Sequence, residues 1–146
     1  MMAPLQVHEL TIEVTEADLP EDRFSDHVNN ARYFAFINRT FQGWYRAMGI
    51  RGGIPERTAV MAHLAYDFLR EVHPPGRVRV RLTTVRAGRT SLEHAIEIHD
   101  LDGPPGEPPL AGRGRAVHVW IDRTTGTSLP WPPELLARCL APPDER

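Results

Sequence analysis

The sequence predicts an α+β domain in which an antiparallel sheet of about five strands packs on one long helix. Three observations predict it. Residues 7–14 set Val7, Leu10, Ile12 and Val14 among Glu9, Thr11 and Glu13, the pattern of a half-buried strand. From Tyr33 to Met48 the apolar side chains recur every three or four residues, the period of a helix. From Thr58 onward the alternation returns, interrupted by turns rich in Gly and Pro, so one strand and one helix are followed by four more strands. The chain of 146 residues fits one domain, residues 1–146, because domains of roughly 100–150 residues bury enough surface to be stable alone.

Taken in order, the first strand spans Gln6 to Glu16 and ends at Ala17-Asp18-Leu19-Pro20. Residues 17–27 carry Asp18, Glu21, Asp22 and Asp26 without a periodic apolar face and read as a loop, the usual place for a site on a rigid scaffold. The helix starts at Asn29 or Asn30 and ends near Met48, because Gly49 terminates it and Gly52-Gly53 with Pro55 prevents resumption. Its apolar residues, Tyr33, Phe34, Phe36, Ile37, Phe41, Trp44, Tyr45 and Met48, fill more than one narrow stripe. That breadth fits a helix covered on much of its circumference by a curved sheet.

In the second strand Val60, Ala62, Leu64, Tyr66 and Phe68 share one parity, assigned to the helix-facing side; Met61, His63, Ala65, Asp67 and Leu69 share the other. His73-Pro74-Pro75-Gly76 is a turn, and the run from Arg77 to Leu82 alternates arginine with apolar residues as a strand with one solvated or partner-facing side. Ala87-Gly88-Arg89 turns into a strand from Ser91 to Asp100, with Leu92, Ile96 and Ile98 on one face. The Pro- and Gly-rich residues 102–109 form a hairpin loop, Ala111 to Asp122 the last strand, and Pro132-Pro133 opens a short final helix to Leu140.

Composition excludes several functions. With 17 basic residues against 19 acidic ones, a net charge of -2 and no basic run, nothing indicates nucleic-acid binding. Cys139 is the only cysteine, so an intrachain disulfide or a Cys-rich metal site is excluded, and its place near a proline-rich end reads as incidental. No signal segment and no membrane span is legible, so a cytoplasmic location and no membrane partner are the expectation. His94, His99 and His118 fall on different strands without ligand spacing, so no metal and no cofactor is assigned.

The stretch from Asp26 to Phe34, Asp-His-Val-Asn-Asn-Ala-Arg-Tyr-Phe, concentrates polar groups at the start of the helix. Backbone N–H groups there lack intrahelical partners and, with the macrodipole, favour an anion or a developing oxyanion. Asp26 with Asn29 or Asn30 also has the composition of a plain helix cap.

The run from His27 to Tyr33 resembles the signature of the hotdog-fold acyl thioesterases, the group of 4-hydroxybenzoyl-CoA thioesterase-like and plant acyl-ACP thioesterase-like enzymes, whose fuller pattern is Asp-x-Asp-x-x-Gly-His-Val-Asn-Asn. Val60 to Val72 is similar to that family's next strand, Arg77 to Ser91 to its following hairpin, and Ala116 to Pro130 to its last strand with an Asp-x-x-Thr-Gly turn. The resemblance implies a single hotdog domain and a thioester hydrolase acting on acyl-CoA or acyl-ACP. It implies that the Asn30 N–H polarises the thioester carbonyl and that His27 and Asn29 orient substrate or water, with Tyr33 beside them. Arg23 occupies the position of the family's loop Asp and Asn38 that of its helix Glu; Asp26, and after it Asp22, are the available carboxylates. Arg89, Thr90 and Ser91 resemble the edge that holds the pantetheine arm, or are an ordinary turn; His63 lines a pocket or is a packing residue. Arg77, Arg79 and Arg81 are a solvated face that could also attract nucleotide phosphates.

The alternative reading is a non-catalytic hotdog protein that binds acyl thioesters, and a hotdog dehydratase is a weaker third. Open sheet edges and exposed Met61, Ala65 and Leu69 predict a homodimer with the site at the subunit boundary, extensible to a homotetramer.

Overall fold

In the computed structural model, which describes residues 4–22, 25–49, 56–103, 105–106 and 109–140, five strands and two helices follow in the order strand, helix, four strands, helix. The strands are β1 (Val7–Val14), β2 (Arg57–Phe68), β3 (Gly76–Ala87), β4 (Ser91–Asp100) and β5 (Leu110–Asp122). The helices are α1 (Asn30–Ala47) and α2 (Pro133–Leu140). One antiparallel sheet is ordered β1-β3-β4-β5-β2, and the core lies between its inner face and α1. The expected α+β layout is therefore present, with β1 ending earlier than expected: a 3-10 turn at Glu16–Asp18 follows Val14.

The boundaries of α1 follow from its ends. The Asn29 side chain accepts the Ala31 N–H at 3.2 Å, a cap of the kind that contributes about 1 kcal/mol. At the other end Gly49 adopts φ 93°, a left-handed conformation that glycine takes without a Cβ clash. Tyr33, Phe36, Ile37, Thr40, Phe41 and Trp44 are buried. Phe34, Tyr45 and Ala47 pack at the margin, and Arg32, Ala35, Asn38, Arg39, Gln42 and Arg46 form an exposed stripe. Coverage of the helix is thus broad but one-sided within a single chain.

The parity expected for β2 holds in only half of the strand. Its register against β5 shifts between Met61 and His63, and a bulge there exchanges the inward and outward sets. Ala59 and Met61 pack on the core before the bulge and Leu64 and Tyr66 after it, so Val60 and Ala62 are exposed and Met61 is not. Further along, β2 lies close over β5 because a Cβ at Gly112 would overlap the Tyr66 hydroxyl and one at Gly114 the Ala65 carbonyl. These two glycines let the Tyr66 ring reach the helix.

The outer face of the sheet explains the arginine strand. The registers align Glu9, Arg81, Glu97, Arg113 and Asp67 in one row across all five strands, with the sign alternating at each step. Arg79 and Arg81 contact Glu9 at 3.6 and 3.5 Å, and Arg77 contacts Asp102 at 3.3 Å. These arginines are paired, Arg79 and Arg81 within the sheet and Arg77 with the turn after β4, instead of forming a free cationic strip.

Several loops are tied down. Asp18 is buried, accepts the Thr15 N–H at 2.9 Å and pairs with Arg32 at 2.8 Å, so this loop carboxylate is structural. The turn after β5 is built on Asp122, whose Oδ1 accepts the Thr124 and Thr125 N–H groups at 2.9 and 3.3 Å. The segment that ends in α2 joins the core: Trp131, just before the helix, packs on Trp44 and Trp120, and Cys139 within it is fully buried, its thiol pushed by desolvation up to about 11. That thiol is inert, as expected. Arg23, Gly52, Gly53, Pro55 and part of the 102–109 loop lie outside the described residues.

Candidate active site

The segment entering α1 runs beside the segment leaving β2. The Val28 N–H donates to the Val72 carbonyl at 2.9 Å, and both valines are buried. Because neighbours along an extended chain point to opposite sides, His27 faces outward from one segment and Glu71 and His73 from the other. His27 Nε2 lies 3.6 Å from one oxygen of the Glu71 carboxylate, and His73 Nε2 lies 3.4 Å from the other. The Asp26 carboxylate is 3.5 Å from His73 Nδ1 and its side chain is 91% exposed. Each imidazole sets Nδ1 on a backbone carbonyl, His27 on Val28 and His73 on Asp26, both at 3.1 Å, so each turns its Nε2 toward Glu71.

The helix start lies next to this cluster. Asn29 occupies the Ala31 N–H with its side chain and the Arg32 N–H with its carbonyl oxygen, and donates its own N–H to Asp18 at 2.8 Å. Asn30 is exposed at the first helical position, where the N–H is aimed out of the helix. Asn29 is therefore a genuine cap, while Asn30 carries the donor that the cap leaves over.

An aromatic cluster forms the wall beyond. Tyr33 stacks on Tyr66 at 5.6 Å between centroids and meets Phe68 edge-on at 5.3 Å; Phe34 contacts both Tyr66 and Phe68. Tyr33 and Tyr66 are buried, and desolvation raises both phenols above their ordinary range. Phe68 and Leu69, at 45% and 47% exposed, carry the apolar surface into solvent.

The remaining sequence-derived residues are dispersed. Asp22 lies on an exposed turn ahead of the helix, and Asn38 on the exposed stripe of α1. His63 is exposed on the outer face of the sheet, opposite Val117 and across the sheet from α1. Arg89 is exposed in the β3–β4 turn, which is closed by the Gly88 N–H on the Ser91 carbonyl at 2.8 Å. The Thr90 carbonyl accepts from Trp120 N–H and Trp131 Nε1–H, so part of this turn is a structural anchor. The turn and the His73 segment lie at opposite ends of β3, which at ~3.3 Å per residue separates them by about 36 Å along the strand.

His94 and His118, unpaired in the sequence reading, come together under α1 with ring centroids 6.1 Å apart. His94 Nε2 is 3.0 Å from the Thr84 hydroxyl and His118 Nε2 2.5 Å from the Tyr45 hydroxyl, while the Nδ1 of each has no partner among the described residues. Desolvation lowers them to about 3 and about 4, keeping both neutral. They are packing groups among Phe41 and Trp44, remote from solvent.

Glu71 is the residue sequence reasoning missed. The available signal was that Glu71-Val72-His73 repeats the polar-apolar-polar pattern of His27-Val28-Asn29, as two paired extended segments should.

Comparison with known proteins adds a family. A model described as the thioesterase-like superfamily matches residues 18–139. The PA2801 protein of Pseudomonas aeruginosa superposes with a TM-score of 0.78 at 28% identity, over 89% of this chain and 95% of that one. Slr0204, a 1,4-dihydroxy-2-naphthoyl-CoA thioesterase from Synechocystis, gives 0.76 at 17% over 91% and 95%. A 4-hydroxybenzoyl-CoA thioesterase variant solved with 4-hydroxybenzoyl-CoA gives 0.76 at 10% over 92% and 99%. The α+β fold described above is the hotdog fold of these neighbours.

Proposed function

Because the chain belongs to the thioesterase-like superfamily over residues 18–139, we propose that it hydrolyses acyl thioesters, with acyl-CoA as the substrate in preference to acyl-ACP. What supports this reading is that α1 begins at Asn30, three residues after His27, whose ring faces Glu71. That arrangement supplies what the reaction needs: a donor for the oxygen that becomes negative and an acceptor for the proton that water must lose.

In this reading the thioester carbonyl accepts from Asn30 N–H, and the positive end of α1 stabilises the tetrahedral oxyanion. Water attacks the carbonyl carbon as its proton passes to His27 Nε2, and the Glu71 carboxylate stabilises the imidazolium that forms. Collapse breaks the carbon–sulfur bond, and the proton returns to the departing thiolate. Glu71 replaces Asp26 as the preferred carboxylate because both its oxygens face histidine nitrogens, whereas Asp26 projects into solvent beside His73. The apolar part of the acyl group would lie along Phe34, Phe68 and Leu69. The choice of CoA is supported by the neighbours whose names carry CoA thioesters.

Assembly belongs to the same proposal. If Arg89, Thr90 and Ser91 hold the pantetheine arm, one chain cannot bring them to its own helix entrance across the length of β3, so a second copy must supply them. The active form is then a homodimer, with a homotetramer as an extension. One observation favours the binding-protein alternative: Asn38, on the exposed stripe of α1, is an amide that cannot serve as a base.

A panel of short, medium, long and aromatic acyl-CoAs, followed by thiol release, tests the reading with the parent and His27→Ala, Asp26→Asn and Asp22→Asn. The proposal requires parent turnover above background and a loss of ~100-fold or more in His27→Ala, with smaller losses in the two Asp variants. A parent that binds thioesters yet hydrolyses none is the binding protein.

A further inference from the structure

We infer that Glu71 and His73, with Asp26, form a binding site for a first-row transition dication of the zinc, nickel or cobalt class. The inference stands apart from hydrolysis and starts from the spacing of the ligand atoms. The His73 Nε2 to Glu71 distance of 3.4 Å and the His27 Nε2 to Glu71 distance of 3.6 Å are too long for N–H···O hydrogen bonds, which fall at roughly 2.7–3.2 Å. They match the ~3.3 Å edge between neighbouring ligands of a tetrahedral ion with bonds of ~2.0–2.1 Å. One donor atom from each of Asp26, Glu71 and His73 can be chosen so that all three lie within 4.8 Å of one another.

The hydrogen bonds of the rings point the same way. With Nδ1 of His73 and of His27 turned to backbone carbonyls, Nε2 is the ring nitrogen of each that converges on the Glu71 carboxylate. A backbone carbonyl on the far ring nitrogen is a usual support for a metal-bound imidazole. Among the described residues the two nearby guanidinium groups are engaged elsewhere, Arg32 with Asp18 and Arg70 with Asp100.

The mixed nitrogen and oxygen set selects zinc-like ions over magnesium or calcium, which take six or more oxygen ligands. Its exposure leaves the remaining positions to water. His27 stands at the margin of the cluster, where its ring meets His73 edge-on at 6.4 Å. A bound ion would hold Glu71 and compete with its proton-accepting partnership with His27, making the ion an inhibitor if the hydrolase reading holds.

The test is a titration of the chain, free of any affinity tag, with Co2+, read by visible absorption and by calorimetry. The expected result is one ion per chain with ligand-field bands, binding about tenfold weaker or worse in Glu71→Gln and in His73→Ala, and binding unchanged in His99→Ala, which alters a histidine paired with Glu97 elsewhere. Circular dichroism checks the folding of each variant, and His73→Asn replaces His73→Ala if the latter unfolds. Absence of saturable Co2+ absorption, or affinity within twofold of the parent in both Glu71→Gln and His73→Ala, overturns the site. Thioester turnover does not enter this readout, so a failure of the hydrolase reading leaves the result standing.

Discussion

Acidification should unfold this protein through two histidines that take no part in the proposed chemistry. His94 and His118 are fully buried, and desolvation lowers them from 6.5 to about 3 and about 4. In the unfolded chain both titrate near the ordinary value, so between these limits the unfolded state binds two more protons than the folded one. The stability they permit is complete above pH 6.5 and is lost as pH falls from 6.5 toward 4 and then 3. At pH 5 each group sits about 1.5 units below its unfolded pKa and remains neutral when folded, which at ~1.4 kcal/mol per unit costs about 2 kcal/mol per histidine, or about 4 kcal/mol together. His8, also lowered by burial, acts in the same direction. Urea unfolding followed by tryptophan fluorescence should show stability falling with a slope near two protons between pH 4.5 and 6, and near one proton in His94→Leu or His118→Leu. A slope below half a proton in the parent, or an unchanged slope in both variants, would refute the reasoning.

Three further outcomes follow from the fold and the proposed site. Asp18→Ala removes a buried carboxylate from the Thr15 N–H and the Arg32 guanidinium and should cost about 2–3 kcal/mol in urea unfolding. Gly112→Ala forces a Cβ into the Tyr66 ring and the Asp67 carbonyl and should cost about 2 kcal/mol or more in urea unfolding, a loss that Tyr66→Phe in the same chain does not restore because the ring carbon and the carbonyl stay in place. Light scattering at micromolar concentration should report a dimer, and a monomer would remove the second chain from the proposed site.

The helix was legible almost to the residue because its signals agree: a three-to-four period, Asn29 as a cap and Gly49 as a left-handed terminator. The β2 parity was not, since Val60, Met61, Ala62, Leu64 and Ala65 put apolar residues on both parities and no Gly or Pro marks the bulge. The site was half legible. His27, Asn29 and Asn30 lie together in sequence, but Glu71 and His73 reach them only through the pairing of Val28 with Val72, a contact between distant segments that periodicity cannot reveal. The partnership of His94 with His118 is likewise a product of the β4–β5 register, in which Leu92 faces His118 and His94 faces Ala116.

The measurement that tests the central claim most directly is the steady-state rate of thiol release from the best acyl-CoA of the panel by the parent and by Glu71→Gln. Glutamine keeps the size of the side chain but removes the charge that would stabilise a His27 imidazolium. The account predicts a kcat lower by ~100-fold with KM changed little, because the lost interaction acts on the proton transfer and not on substrate binding. A Glu71→Gln enzyme that turns over like the parent would contradict it and remove the His27 and Glu71 pair from the chemistry.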